Sequence, residues 1–387
     1  MPNLFHSNIT LVFLSYFVVA VVLFTSCEKD AVDPLKDALS SQHPAITKVM
    51  NERPREFELQ IIFTEIDSTT NGSLYFNDYS YALNADQYFY PASTVKLPTA
   101  ILALEYLQSF SEIDVNATYT IDRDSLVHSI NDDIRQIFAV SDNEAYNRLY
   151  EFMGRDYINL KLKEKGIIPA QISHRLSTPN STENKHLPLQ FVSEGDTIST
   201  GGSLSTMPSA QTIAGVQKGI GYMKNDSLVS QPMDFSMKNY VPLETQHGIM
   251  KRLFFESEYS EDKQFHLSEE HKKLLLHHMH ALPRNNGYDE TTYYDGYGKF
   301  FMYGDTKDRI PDHLKIYNKV GYAYGTLTET AYIEDSLHNI QFLLSATILV
   351  NKNGIFNDDT YEFNSTGIPF LAQLGRELYQ LKLNERE

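Results

Sequence analysis

Residues 91–96 read PASTVK and place Ser93 three positions ahead of Lys96. A serine hydroxyl attacks a carbonyl only when a neighbouring base takes its proton. A lysine with a desolvated amine can be that base. The same pattern also describes a helix cap followed by a surface lysine, and the local stretch leaves both readings open. Two other S-x-x-K pairs occur, Ser26–Lys29 and Ser260–Lys263, but only Ser93 opens an apolar helical pattern. In that pattern, STVKLPTAILALEYLQ (93–108), Val95, Leu97, Ile101, Leu102, Leu104 and Leu107 recur at broadly helical spacing. A serine at a helix start meets free backbone N–H groups and the positive end of the dipole. Lys96, three residues on, shares its face.

Two further short motifs follow in order. Ser141-Asp142-Asn143 precedes a helical pattern, and Lys319-Val320-Gly321 lies inside a strand pattern. S-x-x-K, S-D-N and K-[T/S]-G in this order are the signature of class A β-lactamases and penicillin-binding proteins. Over about residues 55–385 the chain resembles the serine β-lactamase and DD-peptidase superfamily, closest to class A. The resemblance implies that Ser93 is acylated, with Lys96 as its proton acceptor. It implies that Ser141 relays a proton to the leaving nitrogen, that Asn143 holds the substrate amide and Lys96, and that Lys319 directs positive charge at a substrate carboxylate. The N–H groups of Ser93 and Tyr322 would form the oxyanion hole, and Gly321 would leave room for the acyl group. No cofactor is implied.

The chain departs from the family at two points. Val320 replaces the hydroxyl of K-[T/S]-G, which in the family binds the substrate carboxylate. In the loop RLSTPNSTEN (175–184), Asn180 falls where the family's water-activating glutamate is expected, and the nearest acid is Glu183. The expected activity is a β-lactamase-like serine hydrolase acting on β-lactams, with Glu183 as the candidate deacylating base. One alternative is a DD-peptidase-like or other amide or ester hydrolase acting on cell-wall peptides. The other is a non-catalytic, penicillin-sensing or cell-wall-binding lipoprotein.

The elements that must position these residues follow from periodicity. FELQIIFTEID (57–67), a TTNGS turn and LYFNDY read as a hairpin. KIYNKVGYAY (315–324), LTETAYIED (327–335) and IQFLLSATILVN (340–351) read as strands, and PFLAQLGRELYQLKL (369–383) as a closing helix. Between them lie the helical patterns DNEAYNRLYEFM, SAQTIAGVQKGIGYM and SEEHKKLLLHHMHAL, and a polar stretch, 177–206, that reads as long loop. The expected fold is α+β, a three-layer α/β/α arrangement. One antiparallel sheet is built from both chain ends, about 55–92 and 296–387, with a mostly helical subdomain over about 110–295. The separation of Ser141 from Lys319 places an insertion between about 185 and 300.

The net charge of −17 argues against nucleic acid as a partner, which would call for basic patches. The expected partners are a small-molecule β-lactam or a cell-wall peptide. The 13 histidines show no trusted metal spacing, HHMH (277–280) included. The single cysteine, Cys27, excludes an internal disulfide. It follows an uncharged apolar run, ITLVFLSYFVVAVVLF (9–24), and small residues. That arrangement resembles a bacterial lipoprotein signal, with residues 1–26 removed and Cys27 lipidated; an uncleaved N-terminal anchor is the alternative. Residues 27–54 read as a tether, and the domain over 55–387 as exported and membrane-anchored, periplasmic or at the cell surface.

Overall fold

The computed structural model describes residues 33–51, 55–68, 71–122, 124–193 and 195–386. The apolar run 9–24, expected as a signal, and Cys27 lie outside them. Among the described residues no helix is long and apolar enough to cross a membrane.

The main sheet uses both ends of the chain, as expected. Strands β1 (Gln60–Ser68) and β2 (Leu74–Tyr81) form the early hairpin, and β3 (Leu314–Ala323), β4 (Thr326–Asp335) and β5 (Ile340–Leu349) form a late meander. The order is β3-β4-β5-β1-β2, antiparallel throughout. The central strands are buried on both faces, so they read as nearly continuous apolar or hydroxyl runs.

Helices α1 (Pro34–Leu39) and α2 (Pro44–Asn51) cover one face together with the last helix of the chain, Ile368–Asn384. This corrects the expectation of a tether over 27–54. Leu35, Ile46 and Val49 are buried against Phe63, Phe342 and Phe370, so residues 33–51 belong to the core. The other face carries the helical subdomain. It includes α3 (Lys96–Leu107), α4 (Ile130–Val140), α5 (Asn143–Met153), α6 (Arg155–Glu164), α7 (Leu243–Phe254) and α8 (Glu269–His280); the closing helix is α9. The caps are local in sequence. Ser129, Asp142 and Ser268 accept from N–H groups of the first turns of α4, α5 and α8.

The insertion contains two further corrections. The stretch 177–206 is a loop only at first, since Pro188–Ser193 and Asp196–Gly201 pair as a hairpin in a second, four-stranded sheet. The helical pattern at 209–223 forms no helix. Gln217–Lys218 and Gly221–Lys224 are short strands there, and Gly215 and Gly219 have φ of +76° and +73°. Those backbone conformations interrupt any helix, whatever the apolar spacing.

Candidate active site

Ser93 lies on a short 3-10 turn, Ala92–Val95, that leads into α3. Ala92 is held at φ +48°, a left-handed conformation that glycine adopts freely and a residue with a Cβ rarely does. Thr94 locks the turn, its N–H and hydroxyl both donating to Pro91 O at 3.1 and 2.7 Å. The turn leaves Ser93 half-buried while Pro91, Ala92, Thr94 and Val95 around it are buried.

Lys96, one turn on, is fully buried. Its Nζ donates to Ser141 O (2.5 Å) and Asn143 Oδ1 (2.7 Å), with Ser141 Oγ at 3.3 Å. The S-D-N motif supplies these acceptors from the sharp junction of α4 and α5. Ser141 ends α4 at φ +58°, Asp142 caps α5, and Asn143 is its first residue. Across the cavity, Lys319 Nζ donates to Ser141 Oγ (2.8 Å) and Val320 O (3.0 Å). Ser93, Ser141, Asn143, Val320 and Tyr322 line one cavity of about 690 Å³.

Burial pushes the Lys96 ammonium well below the usual lysine range, and the nearby Lys319 charge pushes it further. Burial and Lys299 together lower Lys319 to about 7. Beneath Lys319 lies a polar group with no signal in the short motifs. Lys299 Nζ donates to Asn318 Oδ1 (2.6 Å) and to Met279 O and Ile316 O. Glu329, fully buried, accepts from Phe301 N (2.6 Å) and from Asn318 Nδ2. Burial raises the Glu329 carboxyl, and its negative charge helps Lys319 keep its proton.

Gly321 is required by the backbone packed against it. A Cβ there would lie 2.6 Å from Pro91 O and 3.0 Å from Ser93 N, so glycine lets β3 run against the Ser93 turn.

Glu183 is not brought to this cluster. It is exposed and lines a separate cavity with Asp122, Glu144 and Lys185. Asn180 lies on the same separate cavity. The loop residue that reaches the cluster is Ser177, whose Oγ accepts from Asn143 Nδ2 at 2.9 Å. The loop is held by buried Arg175, which pairs with Glu151 and donates to the carbonyls of Glu183 (2.9 Å) and Lys185 (2.8 Å). This anchoring fixes which face of the loop meets Asn143.

A model of the Beta-lactamase enzyme family matches residues 45–234, a span that holds Ser93, Lys96, Ser141 and Asn143. This match, with the fold, supports the serine β-lactamase and penicillin-binding protein superfamily. It is similar in fold to a class A β-lactamase from Bacteroides cellulosilyticus, at 11% identity and TM-score 0.51, covering 91% of this chain and 98% of that one. It is likewise similar to β-lactamases from Sphaerobacter thermophilus (12%, TM-score 0.50, 91% and 98%) and Xanthomonas campestris pv. campestris (12%, TM-score 0.50, 89% and 97%). No curated protein sequence matches the chain. Within the superfamily the chain is a β-lactamase-like serine hydrolase.

Sequence reasoning missed three features of the cavity wall. Its rim is aromatic, with Tyr90, Tyr297, Tyr322, Tyr324, Tyr361 and Phe363. His174 stacks parallel on Tyr90 (centroids 6.1 Å apart) and donates from Nδ1 to Arg175 O (2.6 Å); burial lowers its pKa to about 4 and keeps it neutral. Lys238 also lines the cavity, and among the described residues no carboxylate pairs with it. All three come from segments far apart in sequence, and no short spacing announces them.

Proposed function

We propose that this chain opens β-lactams by forming an ester on Ser93 and releases that ester slowly. The observation that carries the reading is the hydrogen-bonded set Lys96, Ser141, Asn143 and Lys319, of which Ser141 and Asn143 line the same cavity as Ser93. Lys96, its ammonium disfavoured by burial, accepts the Ser93 proton as the hydroxyl attacks the lactam carbonyl. A neutral amine that donates to Ser141 O and Asn143 Oδ1 keeps its lone pair for that proton. Ser141, bonded to Lys319, delivers a proton to the leaving nitrogen. The N–H groups of Ser93 and Tyr322 receive the oxyanion, a contribution of roughly 3–4 kcal/mol per donor. With Val320 lacking a hydroxyl, Lys238, a cation on the cavity wall that no carboxylate pairs with among the described residues, meets the substrate carboxylate.

Slow release follows from Ser177, a hydroxyl at the place where a carboxylate would activate water. The same residue favours a second reading, in which the physiological substrate is a cell-wall peptide and β-lactams are trapping analogues. Attachment to a membrane through Cys27 is part of the proposal and rests on the apolar run before it.

The test is a time course of intact mass after mixing the full-length chain with a penicillin, beside Ser93→Ala. The expected result is a Ser93-dependent adduct that outlives the free drug. No adduct at any time overturns the β-lactam reading. An adduct that vanishes as fast as it forms overturns slow release.

A further inference from the structure

Two imidazoles and a carboxylate converge at the end of the main sheet remote from Ser93. Leu314 pairs with Asp335, and Asp335 pairs with Ile340. That register places His313, just before β3, and His338, in the β4–β5 turn, on either side of Asp335. His338 Nδ1 lies 2.8 Å and His313 Nε2 3.9 Å from Asp335 Oδ2, and the three ligand atoms fall within 4.8 Å of one another. Atoms so spaced share an equidistant point about 2.4 Å from each at most, against roughly 2.0–2.2 Å for zinc bound to nitrogen or oxygen. Shifts of a few tenths of an ångström close the difference.

The carboxylate is already oriented. Asp335 is buried, its Oδ1 accepts from Leu337 N (2.8 Å) and His338 N (3.2 Å), and its Oδ2 accepts from Tyr379 OH (2.5 Å). Such outer hydrogen bonds hold a ligand in the pose a metal needs. The two histidine side chains are 36% and 37% exposed, which gives an ion an entry path and a solvent-facing fourth position. Two imidazoles with one carboxylate suit a zinc-type dication and not magnesium or calcium, which take all-oxygen shells.

We propose that His313, Asp335 and His338 form a binding site for a transition-metal dication of the zinc type. Asp335 lies seven residues along β4 from Thr328, the partner of Gly321, or about 23 Å at the strand rise of roughly 3.3 Å per residue. The ion therefore takes no part in chemistry at Ser93. It fastens the segment before β3 to the β4–β5 turn and, through Asp335 and Tyr379, to α9.

The experiment is calorimetric titration of the full-length chain, stripped with EDTA and free of any histidine tag, with zinc chloride. One equivalent is expected, with a rise in Tm. His313→Ala and His338→Ala, both surface substitutions, are each expected to weaken binding at least about tenfold and to remove the Tm rise. Circular dichroism checks that both variants fold. No saturable binding, or binding unchanged in both variants, overturns the site. Binding lost only in His277→Ala/His280→Ala overturns it as well, by placing the ion on α8.

Discussion

Lys96 and Lys319 hold their protons weakly because both are buried beside like charge, and the pH dependence of acylation follows from that. Lys319 loses its charge as pH rises through about 7, so a step that needs its ammonium declines above that pH. Glu329 opposes the loss. Glu329→Gln removes the carboxyl that supports the Lys319 ammonium and is expected to move the alkaline limb to lower pH. The pH profile of the second-order acylation rate measures this, and an unmoved limb means another group titrates. Ser177→Glu tests the loop from the other side. A carboxylate beside Asn143 Nδ2 supplies a general base, and deacylation is expected to quicken by about 10²-fold. The decay rate of the intact-mass adduct reads it directly.

At the scale of elements, β3 must touch the Ser93 turn, and the anchored loop must present Ser177. Gly321→Ala puts a Cβ 2.6 Å from Pro91 O, so strand and turn must part. Acylation is expected to fall at least about 10²-fold, since small misplacements of reacting groups cost that much, with a native circular dichroism spectrum as the check. Arg175→Leu leaves Glu151 buried without its guanidinium, and a loss of about 3 kcal/mol in urea unfolding is expected. The elements themselves were largely legible in the sequence. The early hairpin, α3, α5, α8, the late meander and α9 show as apolar patterns, periodic where one face is buried and nearly continuous in α3 and the central strands, which are buried all round. The 209–223 segment misled, because its apolar spacing is helical while Gly215 and Gly219 take positive φ. The polar stretch after Arg175 concealed a hairpin whose strands alternate too weakly to show.

For the whole molecule, closing one sheet from both chain ends makes the N-terminal helices part of the fold. Leu35, Ile46 and Val49 share one core with Phe63, Phe342 and Phe370, and α1 and α2 pack on α9. Ile46→Ala is expected to cost about 2–5 kcal/mol of unfolding free energy, and a chain beginning at residue 55 is expected to aggregate, with light scattering as the measure. A tether would lose nothing in either experiment. Polar composition hid this packing, since a short amphipathic helix buries few residues and surrounds them with charge.

By itself the sequence determined the order of the three motifs, the α+β class and the candidate residues Ser93, Lys96, Ser141, Asn143 and Lys319. Those are local: a helix start, a helix junction and a strand each announce themselves within a few residues. Only the tertiary structure decided which loop residue faces Asn143, why position 321 must be glycine, and that Lys299 and Glu329 lie under Lys319. It also decided that His313 and His338 meet at Asp335. Each depends on strand register, or on which side of a loop a buried arginine turns outward, and those are set by packing between segments far apart in the chain.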